Sequence, residues 1–164
     1  MKGQGAGADI GAHRDINTKA EMAAPKLPRK ELEARLTAEF PEMFSPESGY
    51  AIEQLWLGGA IVRRHYHPRS LRPGGTVSGP SIMALADFTM YVAVLSAIGW
   101  VPLAVTTNFN INFLRRPAPR DLLAEARLIK LGKRLAVGDI AICSDGAGED
   151  LVAHATATYS LPAA

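Results

Sequence analysis

Between Arg72 and Arg115 the chain carries one formally charged side chain, Asp87. It stands inside the run from Ser78 to Trp100, whose apolar residues Ile82, Met83, Leu85, Phe88, Met90, Tyr91, Val92, Val94 and Leu95 fall on every side of a helix. A helix apolar all round must be wrapped, and this one is shorter and more interrupted than a membrane span, which favours a wrapper of protein. The helix is predicted to begin at Ser78-Gly79-Pro80, because Ser is a favoured cap, Gly allows close backbone approach and Pro is tolerated in a first turn. It should run to about Ala97 and stop at Gly99 and Pro102. An ionised carboxylate in such surroundings is costly unless paired or hydrogen-bonded. Asp87 is therefore either a structural acid, capping a neighbouring element or answering a distant Arg, or the first candidate for chemistry.

The wrapper is legible on both sides of this helix. Before it, YAIEQLWL and AIVRRHY read as strands joined at Gly58-Gly59, a dipeptide suited to a hairpin turn. After it, TTNFNINFL alternates, Leu122 to Leu131 and Leu135 to Ile142 flank a Gly132-Lys133-Arg134 turn, and Leu151 to Leu161 forms a last strand. Short turns imply antiparallel pairing, so the fold class is α+β, with a curved antiparallel sheet around one central helix. A chain of 164 residues, 48% of them apolar, suffices for one such domain. Pro28 opens a short helix, Arg29 to Glu39, with Leu32 and Leu36 on one stripe, which Pro41 and Pro46 end. Residues 1–25, rich in Gly and Ala and without apolar periodicity, are expected to form a mobile arm.

The order of these elements, together with GGTVSGPSIMALAD, TTNFNINFL and AHATATYS, resembles the hotdog-fold acyl-CoA thioesterases of the PaaI-like, phenylacetate-degradation group. The similarity runs from about Tyr50 to Pro162, within a single hotdog domain spanning residues 26–164. It implies that the N–H of Gly79, the middle residue of the family's usual His-Gly-Gly, donates to the thioester oxygen. It further implies that Asp87 is the nucleophile or general base, and that the Thr106 hydroxyl lies beside the catalytic water. Two residues depart from the family pattern and bear on substrate and rate. Ser78 stands where His is usual, and Arg72 falls near an Asn that helps position the catalytic groups.

Elementary geometry agrees with the resemblance. An N–H at a helix start lies at the positive end of the macrodipole and stabilises a developing oxyanion. Eight residues separate Gly79 from Asp87, about 12 Å along a helix, whereas attack needs reacting atoms within about 3.5 Å. One chain cannot easily apply both groups to one carbonyl, so a homodimer sharing its sites is expected, and the resemblance adds a dimer of dimers. Coenzyme A is then part of the substrate and no separate cofactor is needed. Its phosphates call for cations, and Arg115, Arg116, Lys130, Lys133 and Arg134 are the candidates. Arg72, Ser78, Met83, Phe88, Tyr91 and Phe109 are candidates to line the substrate cavity, the last four being equally suited to a core.

Other classes are bounded by composition. A net charge of +2 and a pI near 8.8, with no basic run interleaved with aromatics, argue against nucleic acid. Cys143 is alone and has no convincing His partner, so a structural thiol in a reducing, cytoplasmic setting is expected. His65 and His67 should share a strand face but lack further ligands for a metal, and His154, Thr156 and Thr158 read as ordinary sheet residues. No membrane association is expected. A hotdog hydratase or dehydratase typically uses a His with its acid, and the central helix has no His. A non-catalytic acyl-CoA binding protein is the other alternative, which the absent His and Asn would permit.

Overall fold

The computed structural model describes residues 22–147 and 150–163. Most of the expected N-terminal arm lies outside the described residues. Within them, the chain before the first helix is anchored: Leu57 N–H donates to the Ala23 carbonyl and Lys26 N–H to the Ser96 carbonyl, each at 2.8 Å. Helix α1 (Arg29–Glu39) follows Pro28 and buries the Leu32 and Leu36 stripe.

Strands β1 (Tyr50–Trp56) and β2 (Gly59–Arg64) form the predicted hairpin. A 3-10 turn at Pro68–Ser70 leads into the two-residue strands β3 (Leu71–Arg72) and β4 (Thr76–Val77), which pair with each other. Helix α2 (Gly79–Ile98) then crosses the molecule, followed by β5 (Val105–Phe113), β6 (Leu122–Leu131), β7 (Leu135–Ser144) and β8 (Leu151–Ser160). Six strands make one sheet in the order β1-β2-β6-β7-β8-β5, with every neighbouring pair antiparallel. This is the hotdog arrangement, an antiparallel sheet curved around a long helix.

At 20 residues α2 is long and apolar enough, by length and composition, to cross a membrane, so its length does not exclude a span; its burial inside the sheet shows what wraps it. Ile82, Leu85, Phe88, Met90 and Leu95 are all buried, and each stabilises the fold by about 1.5–3 kcal/mol relative to exposure. The buried hydroxyls of Thr89 and Ser96 donate back to the Leu85 and Ala93 carbonyls, both at 2.7 Å. The sheet comes close to the helix where β7 passes Met90. A Cβ on Gly138 would lie 2.6 Å from the Met90 sulfur and 2.8 Å from the Arg127 carbonyl, so only glycine fits there.

β2 ends at Arg64, so His65 and His67 do not share a strand face as expected. Asp121 draws the chain out of the ladder by accepting from the Tyr66 N–H at 2.7 Å and contacting His65 Nδ1 at 3.0 Å. His67 instead caps the 3-10 turn, accepting from the Arg69 N–H. Among the described residues no cluster of His, Cys, Asp and Glu could hold a metal. Cys143 is fully buried, and burial first, with Asp145 adding to it, pushes its thiol up to about 11, in keeping with a structural role.

Candidate active site

At the start of α2 the Gly79 N–H has no acceptor among the described residues. Ser70 holds the entry by accepting the Ser78 N–H at 2.7 Å, and the Ser78 hydroxyl accepts from the Ser81 N–H at 3.4 Å while donating to the Ser81 hydroxyl at 2.9 Å. Pro80 has no N–H to offer, and the Ile82 N–H returns to the Ser78 carbonyl. The Gly79 N–H therefore stands without a partner among the described residues, at the positive end of a 20-residue helix. A Cβ on Gly79 would meet the Phe113 ring at 3.4 Å, an ordinary van der Waals contact, so the helix start faces β5 at close range.

Two turns along the helix, Asp87 is half-buried, and side chains from two strands converge on it. Thr106 of β5 donates its hydroxyl to Asp87 Oδ1 at 2.7 Å, and Tyr159 of β8 donates to the same oxygen at 2.8 Å. Thr106 and Tyr159 are direct register partners across β5 and β8, which is why both reach one atom. Burial, then the Asp87 charge, pushes the Tyr159 phenol well above the ordinary tyrosine range, so it remains a proton donor. Among the described residues Asp87 has no ion-pair partner.

Asp87 lies in the wall of a cavity of about 490 Å³, within the range of small-molecule sites. Phe88, Tyr91, Trp100 and Ala104 line it with Phe40 and Met43, which follow α1 and form a wall that sequence periodicity did not suggest. Phe40 meets Tyr91 edge-on and Tyr91 stacks on Tyr159, giving a continuous aromatic lining. The Tyr91 hydroxyl donates to the Pro102 carbonyl at 3.3 Å, fixing the loop between α2 and β5.

The other predicted residues distribute unevenly. Phe88 lines the cavity yet is almost fully buried, packing on Phe44 and Tyr50. Phe109 faces the core from β5, and Met83 is exposed one turn before Asp87 on the same helix stripe. Arg72 is exposed on the β3–β4 hairpin, and Ser78 is the helix cap. The basic candidates do not converge within one chain. Lys133 and Arg134 sit at the β6–β7 tip beside the Val105 end of β5, with Lys130 nearby on β6, whereas Arg115 and Arg116 follow the far end. The length of β5, about 25 Å at 3.3 Å per residue, separates the two groups. Arg115 also meets Asp150 in an exposed ion pair at 3.2 Å.

Tyr159 is absent from the sequence-derived candidates. Its signal was a single large polar side chain on a strand whose other inward residues are Ala153, Ala155 and Ala157.

Comparison with known proteins agrees with the fold. A model of the thioesterase superfamily matches residues 74–151. Among curated relatives, a proposed esterase of Saccharolobus solfataricus is 31% identical over 68% of this chain and 72% of its own length. A proposed esterase of Thermoplasma acidophilum is 32% identical over 54% of this chain and 65% of its own length, a little under two thirds. The structure of a proposed thioesterase from Silicibacter sp. TM1040 is 43% identical, covers 89% of this chain and 99% of that one, and superposes with a TM-score of 0.76. A mutant of phenylacetic acid degradation protein PaaI from Thermus thermophilus is 26% identical over 74% of this chain and 99% of its own, with a TM-score of 0.65. A hypothetical thioesterase of Streptococcus pneumoniae, solved with coenzyme A, is 25% identical over 70% of this chain and 86% of its own, with a TM-score of 0.63. The chain belongs to the thioesterase superfamily, with a PaaI-like hotdog fold.

Proposed function

We propose that this protein hydrolyses an acyl-CoA thioester to the free acid and coenzyme A, with Asp87 as general base or nucleophile. The observation that carries the reading is Asp87 itself: a carboxylate without an ion-pair partner among the described residues, hydrogen-bonded by Thr106 and Tyr159, in the wall of an apolar cavity. The coenzyme A in the Streptococcus pneumoniae structure supports the ligand class.

In the general-base form, water adds to the thioester carbon as its proton passes to Asp87. The resulting oxyanion rests on the N–H of Gly79 of the partner subunit. Collapse breaks the C–S bond, and the proton held by Asp87 goes to the departing thiolate, giving acid and thiol. In the nucleophilic form, Asp87 bonds to the carbonyl carbon and expels the thiolate, and water then cleaves the mixed anhydride. Both forms need the partner, because Gly79 and Asp87 are two helical turns apart. The pairing surface we infer is β5, an edge strand exposing Val105 and Phe113, with Leu103 and Leu114 exposed just beyond its ends. Antiparallel pairing of two β5 strands would bring Arg115 and Arg116 of the partner subunit toward Lys133 and Arg134, gathering the basic residues for the nucleotide.

Thiol release from short, medium, long-chain and aromatic acyl-CoAs tests the reading, with Asp87→Asn as the control. The amide keeps the shape but takes up no proton, so kcat should fall by roughly 100-fold or more while the melting midpoint changes little. Near-normal turnover by folded Asp87→Asn, or no hydrolysis of any member of the series by the wild type, would reject it. The second outcome, combined with retained binding, would favour a non-catalytic acyl-CoA protein.

A further inference from the structure

The contacts of Asp87 are unequal between its two oxygens. Oδ1 accepts from Thr106 at 2.7 Å and from Tyr159 at 2.8 Å, while Oδ2 has no hydrogen-bond partner among the described residues. Two donors fill the usual lone-pair directions of one carboxylate oxygen. The Tyr159 oxygen also lies 3.0 Å from Asp87's own carbonyl, but the contact to Oδ1 is the shorter of the two.

The two donors differ in how they are packed within one chain. Thr106 is exposed there, on the strand inferred to meet the second subunit, whereas Tyr159 is 2% exposed near the end of β8. The Tyr159 ring is stacked on Tyr91 with centroids 6.3 Å apart, and Tyr91 is itself tied to Pro102. A rotamer locked by packing on both sides of its ring holds its partner more closely than a side chain with little around it does.

We propose that Tyr159 is a positioning residue for Asp87: with Thr106 it saturates Oδ1, fixes the carboxylate rotamer, and so leaves Oδ2 as the one oxygen that meets the water or the thioester carbon. The inference rests on Asp87 being the base or nucleophile. The Tyr159 ring borders the cavity, but its hydroxyl is directed at Asp87, so the hydroxyl acts on the rate of chemistry and the ring carries whatever part the residue has in binding.

Tyr159→Phe keeps the ring and its stacking and removes only the hydroxyl. Losing one hydrogen bond to a charged group should lower kcat roughly 10- to 100-fold, with KM for acyl-CoA near the wild-type value and a melting midpoint lower by only a few degrees. In an Asp87→Asn background, adding Tyr159→Phe should cause no further loss of residual hydrolysis, because the two act as a unit. A packing role alone would lower the melting midpoint without this split between kcat and KM. If Tyr159→Phe proves unstable, replacing Tyr159 with 3-fluorotyrosine keeps its size and changes the strength of the donor, and kcat should shift there with KM constant. A folded variant of either kind with wild-type kcat overturns the positioning role and leaves Asp87 in place. An active Asp87→Asn enzyme overturns the reading beneath it.

Discussion

Mixing two dead enzymes should make a live one, in a calculable amount. Asp87→Asn removes the carboxylate, and Gly79→Pro removes the lone N–H at a first helical position that accepts proline. Each homodimer then lacks the same group at both of its sites. In a heterodimer, one site combines Gly79 from the first subunit with Asp87 from the second and is intact, while the other site lacks both. Random exchange of equal amounts gives about one half heterodimers, each with half its sites working, so about one quarter of wild-type kcat per subunit should return. The assay is thiol release from acyl-CoA after unfolding and refolding the mixture together, with differently tagged subunits to count the heterodimers. Recovered heterodimers with no more activity than the two parents would refute the shared site. So would an active monomer, since about 12 Å of helix separates the groups within one chain.

Two further outcomes follow from features remote from the reacting groups. Replacing Lys133 and Arg134 together by Ala should raise KM for acyl-CoA with little change in kcat and weaken the salt dependence of KM; a short thioester without the nucleotide should be unaffected, and acyl-CoA kinetics indifferent to both changes would move the nucleotide elsewhere. Gly138→Ala forces a methyl against Met90 and the Arg127 carbonyl. That overpacking costs about 1–3 kcal/mol, and calorimetry should show a melting midpoint lower by roughly 2–10 °C.

What the sequence made legible follows the range of the forces involved. The cap and proline at Ser78-Gly79-Pro80, the stop at Gly99, the Gly58-Gly59 turn and the β6–β7 hairpin are set by neighbouring residues, and each lies where local rules place it. Asp87 stood out because the cost of burying charge is visible against an apolar background. Tyr159 did not, because it is 72 residues away and its role exists only once β8 lies beside β5. The cavity wall formed by Phe40 and Met43 was hidden for the same reason: these residues follow a helix and show no periodicity of their own. His65 and His67 misled because alternation was extended past Arg64, where a carboxylate more than fifty residues away ends the strand.

The apolar helix has a consequence for the chain as it leaves the ribosome. α2 emerges after β1 and β2 but before β6, β7 and β8, which supply a large part of its cover. During that interval it presents 20 residues with the length and composition of a membrane segment. A carboxylate near the middle of such a segment opposes insertion by about 2.5–3.5 kcal/mol, and Asp87 occupies that position. The side chain proposed to attack the thioester thus also biases the newborn helix away from lipid until its strands arrive.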